Sequence, residues 1–202
     1  MKIGPKYKIC KRLGAAIFEK CQTKAFQNAS EAAPRTGKIK RSGRKSDFGL
    51  QLIEKQKARF TYGMTERQFS RYAKESMEGA NPAAVLLSRL EARLDNVVYR
   101  SGFAPTRRAA RQMVSHGHIT VNGRKMNVPS HIVASGVVVA VREQSRGGSM
   151  FAGITEKTTE TKVPTWMAMN EGGLSASIVA APSISPQEVL FDPAVIIQFY
   201  SR

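Results

Sequence analysis

Thr106, Arg107, Arg108 and Arg111 form the segment of this chain whose residue types and spacing best fit a defined chemistry. Thr106 suits a helix N-cap, and Ala109, Ala110, Met113 and Val114 recur behind it at helical spacing, which turns the three arginines outward. Cations at a helix N-terminus oppose the macrodipole, where Asp or Glu would be favourable. A bound phosphate removes the conflict, because it accepts hydrogen bonds from the first-turn amides and the guanidiniums together. The chemistry is anion binding, with no bond made or broken. Arg89, Arg93 and Arg100, at offsets of four and seven, read as a second line of phosphate contacts along one helix edge. The competing reading is a surface stripe paired with Glu91 and Asp95.

These side chains need elements to hold them. Asn81 and Pro82 open a helix expected to run to about Ser101, with Leu86, Leu87, Leu90, Leu94, Val97 and Val98 on its buried face. His116 and Gly117 close the Thr106 helix. Ile119 to Val121 then leads into Asn122-Gly123, the pair that best specifies a two-residue type I′ hairpin. That turn pairs Val121 with Arg124 and Ile119 with Met126, placing Ile119, Val121, Met126 and Val128 on a packed face and Thr120, Lys125 and Asn127 on a wet one. Val137 to Val141 supplies a further strand, followed by the cations Arg142 and Arg146. Upstream, Asp47 is expected to cap a helix with Leu50, Ile53 and Phe60 inward and Lys55, Lys57 and Arg59 elsewhere. Thr65 with Gln68 fits a capping box for a helix burying Phe69, Tyr72, Ala73 and Met77, with Arg67, Arg71 and Lys74 on another side.

Charge decides between the two readings of the arginines. The 202 residues carry a formal charge of +17, and its distribution is uneven: residues 1–146 hold 29 Lys or Arg against 10 Asp or Glu, residues 147–202 hold 3 against 5. A chain this basic points to a polyphosphate partner. Residues 24–45, with Pro34, Gly37 and Gly43 among cations that include Arg41, Arg44 and Lys45, have no apolar periodicity and read as an extended basic arm. No apolar run approaches eighteen residues, and Met1 to Gly14 lacks the apolar core of a secretory signal, so a soluble, unexported chain is expected. Cys10 and Cys21 are too few for a closed zinc site, and His116, His118 and His131 have no matching carboxylates. Neither metal nor cofactor is expected.

The segments Arg89 to Arg100, Arg107 to Arg111 and His116 to Gly123 resemble the RNA-binding domain named after bacterial small-subunit ribosomal protein four. The likeness extends to Ser46-Asp47-Phe48-Gly49, Glu54-Lys55-Gln56-Lys57, Tyr62-Gly63, Glu66-Arg67-Gln68-Phe69, Pro164-Thr165-Trp166 and Phe199-Tyr200-Ser201-Arg202, in the order and spacing of that protein family. The resemblance implies a structural protein of the cytoplasmic small ribosomal subunit. Such a protein is a primary binder of the ribosomal RNA at a helix junction of its five-prime domain, nucleates assembly of the subunit body and supports translational accuracy. Its implied neighbours are the fifth and third small-subunit proteins, and some members also repress their own messenger RNA. Some relatives bind zinc through four N-terminal cysteines; only Cys10 and Cys21 stand here.

The fold expected is α+β: a helical domain with an inserted RNA-binding domain of two helices on a small, mainly antiparallel sheet, plus the basic arm. Residues 1–45 form the arm, 46–82 the first part of the helical domain, 83–178 the RNA-binding domain with a connector and a tryptophan strand, and 179–202 a return segment completing the helical domain. The RNA-binding residues expected are Arg41, Arg44, Lys45, Lys55, Lys57, Arg59, Arg67, Arg71, Arg89, Arg93, Arg100, Thr106, Arg107, Arg108, Arg111, His116, Gly117, Asn122, Gly123, Arg124 and Lys125. An enzymatic alternative is an RNA-modifying pseudouridine synthase, whose catalytic aspartate lies in a context like Arg93-Leu94-Asp95. Here that triplet sits inside an amphipathic helix, and no second domain of catalytic size remains. A helix-turn-helix module on DNA fits less well, given the hairpin and the arm.

Overall fold

Residues 6–13 form helix α1 (Lys6–Leu13), and a 3-10 turn follows at Glu19–Cys21. Together they gather Ile9, Cys10, Leu13, Ile17, Phe18 and Cys21 into a cluster with Phe60. The computed structural model describes residues 3–24, 26, 28, 46–148, 151, 163–170, 172–185 and 188–201. The chain divides into two units, Met1–Leu86 with Ser185–Arg202, and Leu87–Ile184.

In the first unit, helix α2 (Asp47–Thr61) is capped by Ser46, not Asp47: the Ser46 hydroxyl accepts from the Gly49 amide at 3.2 Å, and Asp47 becomes the first helical residue. Its inward face is also rotated from the expected one. Gln51, Lys55, Ala58 and Phe60 are buried, whereas Leu50 is 49% exposed. The cause is tertiary. The C-terminal helix, Pro193–Tyr200, packs on α2 and sets the Phe199 and Tyr200 rings against the Lys55 ammonium. Helix α3 (Glu66–Ser76) starts as expected at Thr65, whose hydroxyl accepts from the Gln68 amide at 3.4 Å, and buries Phe69, Tyr72, Ala73 and Ser76.

Helix α4 (Pro82–Glu91) is capped by Asn81, which accepts from the Ala84 amide at 3.2 Å. The helix expected to reach Ser101 breaks at Ala92 and Arg93, and α5 (Leu94–Arg100) begins afresh after Arg93, whose ψ is 137°. The new first-turn amides find partners far along the chain: Leu94 N donates to His131 O at 2.8 Å and Asp95 N to Pro129 O at 3.1 Å. Ala92 O accepts in turn from Val133 N at 2.8 Å. Four stray amides at a new helix start need such acceptors, and this loop supplies two.

The second unit continues with α6 (Arg107–Ser115), β1 (Ile119–Val121), β2 (Arg124–Met126), β3 (Val138–Val141), α7 (Glu143–Arg146), β4 (Met167–Met169) and β5 (Ser175–Ile178); the first unit closes with α8 (Pro193–Tyr200). The strands form one sheet in the order β2-β1-β3-β5-β4, every pairing antiparallel. The hairpin register is the expected one, Ile119 opposite Met126 and Val121 opposite Arg124. Asn122 and Gly123 both take positive φ, 49° and 78°, as a type I′ turn requires. Val128 departs from expectation at 47% exposed, because β2 ends at Met126 and the chain leaves the sheet toward the loop that caps α5. Leu94, Val97 and Val98 of α5 and Ala110, Met113 and Val114 of α6 share a core with Ile119, Val139, Val141, Trp166, Met167 and Ile178. The architecture is α+β: one unit sets two helices on a small sheet, and the other is helical.

Candidate nucleic-acid interface

Thr106 caps α6 as its position demands, accepting from the Ala109 amide at 3.0 Å. Arg108, one residue into the helix, is exposed, and its side chain has no partner among the described residues. Arg107 behaves differently. Its Nε donates to Asn96 Oδ1 at 2.8 Å, its guanidinium lies 4.4 Å from the Tyr99 ring centroid, and its NH2 stands 4.0 Å from Glu91 Oε1. The charge conflict at this helix start is therefore relieved partly from inside the protein.

The line of Arg89, Arg93 and Arg100 does not survive the helix break. Arg93 is fully buried and forms a two-pronged pair with Asp95, at 3.1 Å from Nε and 2.9 Å from NH2. It is a core ion pair, not a surface contact. Arg100 turns to Glu91, also fully buried, at 2.8 and 3.1 Å, and Arg111 approaches Asp95 at 3.6 Å. The pairing with Glu91 and Asp95 that the charge argument set aside is present, though inside the unit instead of on a surface stripe. Arg89 is half-buried.

On the hairpin, Arg124 and Lys125 are exposed, as are Asn122, Gly123 and His116. Asn122 has a structural task as well, donating its amide to Val138 O and accepting from Val138 N through Oδ1, each at 2.8 Å. Gly117 is buried, so it serves the site indirectly. Its φ is 74°, and a Cβ there would fall 2.2 Å from Lys125 Cε. The bare glycine lets the Lys125 stem cross the C-terminal end of α6 and brings a hairpin cation to that helix.

In the helical unit, Lys55 is withdrawn from any interface: it is buried, bonded to Glu66 at 2.8 Å and set 4.7 Å from the Phe199 ring. Lys57 pairs with Glu54 at 2.6 Å; Arg59 bonds Gln56 at 2.9 Å and lies over Phe60. These three cations are spent largely on the fold. Arg67 and Arg71 remain exposed, Arg71 within 3.6 Å of Glu75. Arg41, Arg44 and Lys45 lie outside the described residues.

The model for the S4 domain matches residues 92–139, which run from the start of α5 into β3, and that for the ribosomal protein S4/S9 N-terminal domain matches residues 1–91. A small ribosomal subunit protein uS4 from Roseiflexus castenholzii is 46% identical to the chain, covering 99% of it and 98% of the relative. Its counterpart from Chloroflexus aurantiacus is 44% identical with the same coverage, and a protein uS4A from Symbiobacterium thermophilum is 42% identical over 98% of each. The chain belongs to the uS4 family. Among the described residues of this uS4-family chain, no group of three His, Cys, Asp or Glu side chains could hold a metal. Cys10 and Cys21 are both buried free thiols, and burial, reinforced by the neighbouring Cys10, pushes the Cys21 thiol up to about 12. No described helix is long and apolar enough to cross a membrane.

Glu91, Asp95, Asn96 and Tyr99 are the residues that sequence reasoning left out of the site. The available signal was two acids four residues apart, flanked by Arg89, Arg93 and Arg100 in a chain poor in acid.

Proposed function

We propose that this uS4-family chain is a structural protein of the small ribosomal subunit, found in the cytoplasm as part of that particle, which binds ribosomal RNA directly and catalyses nothing. The observation that carries the reading is the sorting of charge in the second unit. Of its three acids among the described residues, Glu91 and Asp95 are buried against arginines and only Glu143 is exposed, while Arg108, Arg124, Lys125 and Arg146 face outward. Most of the unit's described negative charge is neutralised inside, and the exposed surface is left with an excess of cations, the arrangement a phosphate backbone requires. The names of the relatives agree with this reading.

The contacts proposed are Thr106, Arg108, Arg111, His116, Asn122, Gly123, Arg124 and Lys125 on the second unit, with Arg100 and Arg107 behind them. Arg67 and Arg71 of the first unit are proposed as contacts in their own right, and Arg41, Arg44 and Lys45 are proposed from the sequence alone. Phosphate contacts supply the affinity, and the shape of a folded RNA junction supplies selectivity. The family resemblance supports the finer reading: a primary binder of a five-prime-domain junction that nucleates assembly, lies beside the fifth and third small-subunit proteins, supports accuracy and represses its own messenger. The pseudouridine synthase alternative gains nothing from the geometry, because the Asp95 carboxylate is 7% exposed and held by Arg93 and Arg111. Titrating the full chain onto a five-prime-domain transcript of small-subunit ribosomal RNA and onto duplex DNA at matched salt tests the reading. Tight binding to the transcript alone is expected. Indifference to it at physiological ionic strength would sink the proposal.

A further inference from the structure

The polar cluster beneath α5 and α6 has more order than a buried ion pair needs. Glu91, with no exposed surface, accepts from Asn96 Nδ2 at 2.8 Å and from Arg100 at 2.8 and 3.1 Å, and faces Arg107 NH2 at 4.0 Å. Asn96 extends the network outward, since its Oδ1 accepts from Arg107 Nε at 2.8 Å. Tyr99 closes it from another side, its ring 4.4 Å from the Arg107 guanidinium. The two arginines so held are not themselves sunk: the Arg100 side chain is 22% exposed and that of Arg107 24%. Asp95, with Arg93 behind it, stands in the same relation to Arg111, which is 34% exposed. Two buried carboxylates thus anchor a set of four guanidiniums, a net charge of +2, three of which reach the surface.

Stability alone is a poor reason for this design. A buried ion pair loses in desolvation most of what it gains in attraction, and apolar residues of similar volume often serve as well or better. What the charges provide is direction. A guanidinium on a long flexible stem loses rotamer freedom when it binds phosphate, and each side chain that must be ordered at an interface weakens binding. If the fold has already ordered it, that loss is taken during folding.

We infer that Glu91 is a positioning residue for RNA: through direct bonds to Arg100 and through Asn96 to Arg107, it holds both guanidiniums in the orientation that meets phosphate. Glu91 touches no RNA itself. The inference rests on the RNA-binding reading above, and its test separates the two. Glu91→Gln keeps the shape and one acceptor oxygen but removes the charge that fixes both arginines. With the full chain and a five-prime-domain transcript of small-subunit ribosomal RNA, Glu91→Gln is expected to weaken binding roughly tenfold, the effect of ordering two long side chains anew. In a chain that already carries Arg100→Ala and Arg107→Ala, the same substitution is expected to change affinity less than twofold, since its effect passes through the arginines.

A merely structural carboxylate would give the same loss in both backgrounds, and that result overturns the inference. So does a Glu91→Gln chain that binds as tightly as wild type or tighter, which would make the carboxylate a competitor of phosphate. Circular dichroism establishes that each variant is folded. If Glu91→Gln does not fold, Asn96→Ala takes its place, since it cuts the route from Glu91 to Arg107. A loss of several-fold, absent once Arg107 is alanine, supports positioning, and equal losses in both backgrounds refute it. A wild-type chain that ignores the transcript overturns the RNA reading itself and this inference with it.

Discussion

Arg107→Ala and Arg108→Ala, made separately, should give two different phenotypes although the residues are adjacent. Arg108 is exposed at the start of α6 with no side-chain partner among the described residues, so its loss should leave stability within roughly 0.5 kcal/mol of wild type. If it meets one phosphate, the plot of log affinity for the ribosomal RNA transcript against log salt should flatten by roughly 0.7 to 0.9, one contact's worth. Arg107 also has duties inside the protein. Removing it deletes the bond to Asn96, about 1 kcal/mol. It also deletes the stack on Tyr99, about 0.5 to 1 kcal/mol at a partly exposed site. It further strips the buried Glu91 of one neighbouring cation. A destabilisation of about 2 kcal/mol is expected, which moves the urea midpoint by about 1 M at a typical slope of roughly 2 kcal/mol per molar. Urea melts of the free protein and fluorescence anisotropy on labelled RNA across a potassium chloride series measure both quantities. The double variant should flatten the salt plot by up to roughly 1.8. An Arg108→Ala salt slope equal to wild type, or an Arg107→Ala chain as stable as wild type, would refute the assignment of roles at this helix start.

The C-terminal helix offers a second test. Tyr200 donates to Glu66 at 2.7 Å and Lys55 does so at 2.8 Å; burial raises the Glu66 carboxyl, but these two donors outweigh it and hold it below the ordinary value of 4.5. The contribution of Glu66 is therefore present above about pH 4.5 and is lost as pH falls through the lower folded-state value. Tyr200→Phe should cost about 1.5 kcal/mol at neutral pH, within the range for a bond to a charged group, and should make the acid limb of a stability profile shallower. An acid limb identical to wild type would contradict this account. Gly117→Ala should destabilise the second unit by about 1 to 2 kcal/mol, because it demands φ 74° of an L residue and drives its Cβ toward Lys125. Lys125→Ala in the same chain should relieve only the steric part, a difference that thermal melts will show. Cys10 and Cys21 should resist iodoacetamide in the native protein and react on unfolding, read by mass spectrometry; fast native labelling of Cys21 would be inconsistent with a buried thiol pushed up to about 12.

Where partners lie within a few residues of one another, the sequence determined the local structure on its own. Thr65 and Thr106 each cap a helix by accepting from the amide three residues ahead, and Asn81 does the same before Pro82. Asn122-Gly123 fixes the hairpin register, because few residue pairs tolerate two successive positive φ values. The α+β class and the excess of cations were legible for the same reason, since periodicity and charge are properties of the chain itself. Only the tertiary structure decided what each arginine does. No glycine or proline announces the break at Ala92 and Arg93; it exists because Pro129 and His131, more than thirty residues away, supply acceptors for new helix amides. That break sends Arg93 inward to Asp95 and turns Arg100 to Glu91, and α8, arriving from the far end of the chain, draws Lys55 into the fold. A guanidinium looks the same in a sequence whether it meets phosphate or carboxylate. Which anion it meets depends on contacts that spacing along the chain does not encode.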